Sequence, residues 1–266
     1  MTAASSASWD PSQYERFADE RARPFHELIS RVRAGSPSYV VDLGCGTGAL
    51  TASMADRWPG AQILGVDSSP DMLRAAAAHA VPGRITFARG DIAGWRGDRP
   101  VDVLVTNAAL QWIPGHVELL PRLVAALAPG GWLAIQVPGN FAAPSHLLLH
   151  ELAASPRWAE PLRGWTSRPG ALDPADYLAA LAGLGCTVDA WEATYSQVLP
   201  GEDPVLEWTR GTALRPVLDR LDADRAAEFE AEYAALLRVA YPRRAVGTVF
   251  AFRRVFAVAH APGGTA

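Results

Sequence analysis

Five short runs of continuous hydrophobicity mark the first half of the chain, at 39–43, 61–66, 85–87, 101–105 and 132–137. Stretches of helical periodicity, at 49–57, 71–80 and 116–128, lie between them. A strand that is apolar throughout, rather than at every second position, is buried on both faces, and helices between such strands make the sheet parallel. The pattern therefore predicts a doubly wound, mostly parallel seven-stranded α/β sheet of the Rossmann-like kind, with a turn at Pro129-Gly130-Gly131. Beyond Pro138 the rhythm loosens. Helices and Pro-rich loops cover 141–184, a sixth strand spans 186–199, a helical stretch spans 204–240, and a seventh strand spans 249–260. The last two strands would need only a hairpin between them, so helical insertions at 139–184 and 200–245 are expected to shape a substrate pocket. At the amino end Asp10-Pro11 reads as a helix entry. Tyr14, Phe17, Phe25, Leu28 and Val32 continue at helical spacing, with a break expected at Arg23-Pro24. The organisation expected is a helical lid over 1–35 and one ligand-binding domain over 36–266.

Composition narrows the business of that domain. The 266 residues carry 24 basic and 28 acidic side chains, a formal charge of −4, which argues against a nucleic-acid partner and for a small molecule. All 24 basic residues are arginines. Schiff-base chemistry, pyridoxal attachment and a phosphate-loop lysine are thereby excluded. Codon usage explains most of the arginines, so any functional one must be argued singly. Two cysteines, Cys45 and Cys186, make no disulfide framework, and no apolar run reaches the roughly 20 residues of a membrane span. A cytoplasmic protein without a membrane segment is expected. Nothing in the sequence sets an oligomeric state.

The candidate chemistry gathers at the carboxyl ends of the predicted strands, which is the ligand-binding edge of an open α/β sheet. The first strand closes in Asp42-Leu43-Gly44-Cys45-Gly46-Thr47-Gly48, a glycine turn that lets backbone approach a ligand before a helix N-terminus. Asp67 ends the second strand, where it can take both hydroxyls of a ribose. Asp91 follows the third, and Asn107 closes the fourth. A nicotinamide-binding domain would want its third glycine at position 49, which is Ala49. Cys45 is better read as a small residue in a crowded loop than as a nucleophile. His146 and His150 have i, i+4 spacing, but no third His or Cys joins them, and no metal is expected. Arg253 and Arg254 interrupt an otherwise apolar strand; neighbours on a strand face opposite sides, so only one can serve a given pocket.

Taken together, these residues resemble the class I S-adenosylmethionine-dependent methyltransferases. The resemblance implies that Gly44, Gly46 and Gly48 back the methionine part of the cofactor. It further implies that Asp67 holds ribose, that Ser68 and Met72 flank adenine, and that Asp91 with Ile92 reads its edge. Asp42, Cys45, Asn107, Gln111 and Trp112 fall near the cofactor, and Gln13 on the entry helix closes over it. Within that class the chain is similar, from Trp9 to Ala259, to the family that esterifies trans-aconitate. The likeness runs through WDPSQYERFADERARPF at 9–25, VVDLGCGTG at 40–48, Asp67-Ser68-Ser69-Pro70-Asp71-Met72-Leu73, and NAALQW at 107–112. It continues through PGNFAAPSH at 138–146, EWTRGTALRP at 207–216 and FRRVFAVA at 252–259. Thr47, Ala193 and Ala251 depart from common family residues without removing a charge or a nucleophile. The implied reaction is transfer of a methyl group from S-adenosyl-L-methionine to a carboxylate of a small polycarboxylate, leaving S-adenosyl-L-homocysteine. The acceptor is ionised at neutral pH, so no general base is needed and no catalytic residue in that sense is expected. Arg254 and then Arg215 are the expected carboxylate ligands, with His146, Tyr195 and Tyr241 as further pocket candidates. A methyltransferase acting on another metabolite, and a module that binds cofactor without turnover, are the alternatives.

Overall fold

The structure is a computed structural model and describes residues 18–165 and 170–263, with side chains from residue 22. The expected helix entry at Asp10-Pro11, together with Gln13, Tyr14 and Phe17, lies outside the described residues. The described chain divides into two compact units, 18–138 with 170–193 and 254–263, and 139–165 with 194–253.

The first unit begins with α1 (Ala18–Ser30), followed by β1 (Tyr39–Leu43), α2 (Ala49–Arg57), β2 (Gln62–Asp67), α3 (Pro70–Ala76), β3 (Ile85–Arg89) and β4 (Val101–Asn107). Then come α4 (Leu120–Ala125), β5 (Leu127–Pro138), α6 (Pro174–Ala182, numbered after α5 of the second unit), most of β6 (Thr187–Leu199) and the end of β8 (Gly247–His260). The strand order is β3-β2-β1-β4-β5-β8-β6. Parallel pairing holds from β3 through β5, and β8 joins β5 antiparallel. The seven predicted strands are all on this path, with β7 (Arg243–Arg244) as a two-residue addition paired to β8.

Alternate positions of the central strands face opposite layers. Val41, Leu43, Leu104, Leu133, Ile135, Val137, Val255 and Ala257 enter one core with Leu120 and Leu123 of α4 and Tyr177 and Leu181 of α6. The other face carries Asp42, Val105, Asn107, Ala134, Gln136 and Phe256, and α1 packs on β5 there. The described residues contain no helix long and apolar enough to cross a membrane.

Three local expectations are corrected. α1 runs through Pro24 instead of breaking at Arg23-Pro24. An interior proline costs about 3 kcal/mol, but Phe25 and Leu28 of the helix are fully buried, each worth about 1.5–3 kcal/mol, so burial offsets the local penalty. Helix is confined to Leu120–Ala125 after a 3-10 turn at His116–Leu119, rather than spanning 116–128. The Pro129-Gly130-Gly131 segment lies inside β5, not before it: Leu127 already pairs with Val101, and a register shift absorbs the glycines before Trp132 pairs with Val103.

The second unit contains α5 (Pro144–Ala153), α7 (Pro204–Arg210), α8 (Arg215–Leu218), α9 (Ala223–Ala240), β7 and the first part of β8. α9 packs on α5 and α7. Its buried centre includes Trp158, Phe229, Tyr233 and Phe250.

Candidate active site

The glycine loop is set by three left-handed residues, Gly44 (φ 85°), Gly46 (φ 55°) and Gly48 (φ 80°). Their reasons differ. A Cβ on Gly44 would stand 2.4 Å from Ala109 Cβ, and one on Gly48 would stand 2.7 Å from Phe87 Cζ, so both are needed for packing. A Cβ on Gly46 would meet nothing within 4 Å, which leaves this backbone open toward the loop's free side. Backbone N–H groups of Gly44 and Cys45 donate to Val66 O at 2.8 and 3.1 Å, which ties the loop to β2.

One carboxylate holds the loop and another the helix that follows it. Asp67 Oδ2 accepts from Gly46 N and Oδ1 from Ser69 N, each at 2.9 Å. A carboxylate has about four acceptor positions, so two remain for a ligand. Asp42 is buried and accepts from Thr51 Oγ1 at 2.6 Å. Burial pushes its pKa up to about 6, opposed by the Thr51 hydrogen bond and helped by the charge of Asp67. The Cys45 thiol is pushed far up by burial and by Asp42 and Asp67, and it donates to Gly46 O at 3.8 Å, which supports its reading as a packing residue.

A small pocket of about 50 Å³ lies above the loop, lined by Phe25, Asp42, Gly44, Cys45, Gly46, Thr47, Leu50 and Asn107. Ligand pockets are commonly 300–1,000 Å³, so a nucleoside enters only if the lining parts. Asn107 Oδ1 is buried with no hydrogen-bond partner among the described residues. An orphaned acceptor, two spare positions on Asp67 and an open face at Gly46 fit a ligand rich in hydroxyl and ammonium donors, as S-adenosylmethionine is. Of the expected residues the pocket gathers Asp42, Gly44, Cys45, Gly46 and Asn107. Sequence reasoning missed Phe25, Thr47 and Leu50 as lining; Phe25 was visible only as an apolar helix position.

The remaining cofactor candidates sit around this pocket rather than in its lining. Gln111 Nε2 donates to Ala108 O at 2.7 Å, bracing the non-glycine left-handed turn at Ala108 (φ 53°) after β4. Trp112 is half-buried in the same turn. Ser68 is exposed and Met72 buried at the start of α3, where Ser69, not Ser68, caps the helix. Asp91 is exposed with Oδ1 accepting from Ala93 N at 3.2 Å, while Ile92 is buried beside Gly44.

The arginine pair separates as the strand geometry requires. Arg254 is 6% exposed, and its backbone pairs with Pro138 at the end of β5. Arg253, in the second unit, is half-buried, with its N–H donating to Asn140 Oδ1 and its guanidinium to Gly139 O. Also in the second unit, Arg215 opens α8 with Nε 3.8 Å from Asp219 Oδ2. His146 Nδ1 lies 3.3 Å from Ser145 Oγ, and burial with the neighbouring His150 pushes its pKa down to about 4. Tyr241 Oη accepts from Ser145 N at 3.0 Å, and Tyr195 is half-buried on β6.

The open α/β sheet, the glycine loop at its carboxyl edge and Asp67 at the end of β2, with acceptor positions to spare, fit an S-adenosylmethionine-dependent methyltransferase. A methyltransferase domain family matches residues 40–131. An S-adenosylmethionine-dependent methyltransferase from Thiobacillus denitrificans, solved with S-adenosylhomocysteine, has the same fold, with TM-score 0.54 and 21% identity over 94% of this chain and 98% of that one. The trans-aconitate 2-methyltransferase of Streptomyces coelicolor is 54% identical over 98% of this chain and 89% of its own length. The enzyme of that name from Streptomyces avermitilis is 54% identical over 95% of this chain and 97% of its own. The chain belongs to the trans-aconitate 2-methyltransferase family.

Proposed function

We propose that this protein esterifies one carboxylate of trans-aconitate with the methyl group of S-adenosylmethionine. Arg254 carries the reading: it is a buried cation at the ligand edge of the sheet, on the same face as Asn107 of the loop pocket. A buried guanidinium binds carboxylate in a planar fork and so suits a substrate with several negative groups.

S-adenosylmethionine supplies, when bound, an electrophilic methyl group on a sulfonium. Asp67 would hold the ribose hydroxyls with its spare acceptor positions, and the open backbone at Gly46 would face the methionine end. Ser68, Met72, Asp91 and Ile92 would take the adenine, and Asn107, Gln111 and Trp112 would border the reacting end. Arg254 fixes an unreactive carboxylate so that the reacting oxygen lies in line with the methyl carbon. The acceptor is already ionised, and the gain comes from alignment and from removing water from the carboxylate. We assign the lid role to residues 1–35, of which 1–17, with Gln13, lie outside the described residues; Phe25 is the described residue that must yield. Arg215, His146, Tyr195 and Tyr241 are each assigned to acceptor recognition, to be tested one at a time. The net charge of −4 supports a small acceptor over nucleic acid, and two unpaired buried thiols suit the reducing cytoplasm.

Incubating the purified protein with S-adenosylmethionine and a panel of di- and tricarboxylic acids tests the proposal. Mass spectrometry should find a monomethyl ester of trans-aconitate. Robust methylation of a different acceptor, with none of trans-aconitate, would overturn it.

A further inference from the structure

Gln136 carries an amide that nothing so far has used. The residue is completely buried on β5, and neither Oε1 nor Nε2 has a hydrogen-bond partner among the described residues. Buried polar groups are nearly always paired, because leaving one unmade costs the full desolvation penalty. Replacement by a hydrocarbon side chain of similar size would avoid that cost, so the amide needs another reason to be there.

The pairing register says what surrounds it. On one side Gln136 pairs with Asn107 of β4, so the two amides lie side by side on one face of neighbouring strands. On the other side Gln136 pairs with Phe256 of β8, two residues from Arg254, whose own partner Pro138 is two residues from Gln136. Gln136 and Arg254 are thus diagonal neighbours on the same face, a separation of roughly 7–8 Å between backbones that long side chains readily span. Across the sheet the order is Asp42 and the glycine loop on β1, Asn107 on β4, Gln136 on β5 and Arg254 on β8. Adjacent strands are about 4.8 Å apart. Gln136 therefore stands between the loop assigned to the cofactor, two strands away, and the cation assigned to the acceptor, one strand away.

We infer that Gln136 is a specificity-determining residue that binds the acceptor carboxylate at the methyl-transfer point, an inference that rests on the acceptor proposed above. A primary amide offers both a donor and an acceptor without a net charge. Nε2 donates to an oxygen of the reacting carboxylate, leaving its other oxygen free to attack. Oε1 carries only a partial negative charge, which a cationic cofactor tolerates on the strand that pairs with Asn107. An arginine here would bind the carboxylate more tightly but would oppose the sulfonium and lower the nucleophilicity of the oxygen that must react. A neutral donor orients it without either effect.

The full-length wild type and Gln136→Leu, with Gln136→Met as a second apolar variant should the first fail to fold, decide the matter through three readouts. These are thermal stability of the ligand-free protein, calorimetric affinity for S-adenosylhomocysteine, and KM and kcat for trans-aconitate at saturating S-adenosylmethionine, with calorimetric binding of trans-aconitate to the S-adenosylhomocysteine complex alongside. The variant should keep or raise its melting temperature, hold S-adenosylhomocysteine within threefold of wild type, and lose roughly ten- to a hundredfold in kcat/KM for trans-aconitate, as for one hydrogen bond to a charged group. A loss below threefold overturns the inference, and so does a loss accompanied by an equal loss of S-adenosylhomocysteine affinity or a lowered melting temperature. Should the wild type neither bind nor esterify trans-aconitate, the acceptor proposal falls and this one with it; activity retained by the variant while the wild type is active removes Gln136 alone.

Discussion

Asp42 makes the free protein less stable at neutral pH than in mild acid, by an amount that follows from its surroundings. The carboxyl group is 3% exposed and is pushed from 3.8 up to about 6, chiefly by burial, with only the Thr51 hydroxyl in direct compensation. A folded-state pKa above the unfolded one means that the folded protein holds the proton more tightly. The contribution is therefore most favourable below the unfolded value, declines as pH rises between 3.8 and about 6, and stays at its lowest level above that. At 1.36 kcal/mol per pH unit the interval is worth about 3 kcal/mol. Asp42→Asn keeps the shape and an acceptor for Thr51 but has no charge to desolvate. Urea unfolding of both proteins across pH 4 to 7.5 measures the difference between them and so cancels every other titrating group. The variant should gain on the wild type by about 2 kcal/mol over that range. A difference that is flat with pH, or that moves the other way, would refute the burial argument. The same charge lies in the lining of the loop pocket, where a cationic ligand recovers part of the desolvation cost, so S-adenosylmethionine should bind more weakly as pH falls through about 6.

The loop glycines should separate in a paired experiment. Gly44→Ala, with φ 85° and a Cβ 2.4 Å from Ala109 Cβ, should lower unfolding free energy by about 2–4 kcal/mol. Gly46→Ala, with open space around it, should cost only about 1 kcal/mol while weakening S-adenosylhomocysteine binding in calorimetry; equal stability losses would contradict the packing distinction. His146, pushed down to about 4, should titrate near that value by NMR and stay neutral from pH 6 to 8, and a midpoint above 6 would contradict its burial. Arg254→Ala should raise KM for trans-aconitate thirtyfold or more, as expected for about 2–5 kcal/mol, with S-adenosylhomocysteine affinity within twofold; an unchanged KM would remove it from the acceptor site.

The sheet was legible because its central strands are apolar without alternation, and runs such as Tyr39-Val40-Val41-Asp42-Leu43 end in turn chemistry that local sequence displays. β1 and α2 coincide with their predicted spans, 39–43 and 49–57. What escaped were places where distant burial or pairing overrides a local signal. Pro24 breaks a helix in isolation, yet α1 continues because Phe25 and Leu28 are buried. Pro129-Gly130-Gly131 is turn-forming by composition, yet Leu127 is already held by Val101. In the site, Asp42, the glycines and Asn107 could be placed because each adjoins the end of a strand in sequence. Phe25 could not, since its place in the pocket depends on the docking of α1.

Gln136 shows most sharply why the rest of the site was hidden. In Leu133-Ala134-Ile135-Gln136-Val137 it looks like a single polar position on a strand, and such positions ordinarily face water. Its meaning depends on two facts that local sequence does not contain: helices α1 and α4 pack on β5, so Gln136 is fully buried, and β8 returns antiparallel, so Arg254 arrives beside it. The family-like motifs point to the surface assigned to the cofactor because one turn and one helix start create it. The acceptor site proposed across β4, β5 and β8 has no such motif, since its polar side chains come from three strands distant in sequence, and only Gln136 stands alone amid apolar neighbours. Selectivity among carboxylic acids should therefore respond to isolated polar substitutions on these three strands, while the glycine loop leaves it unchanged.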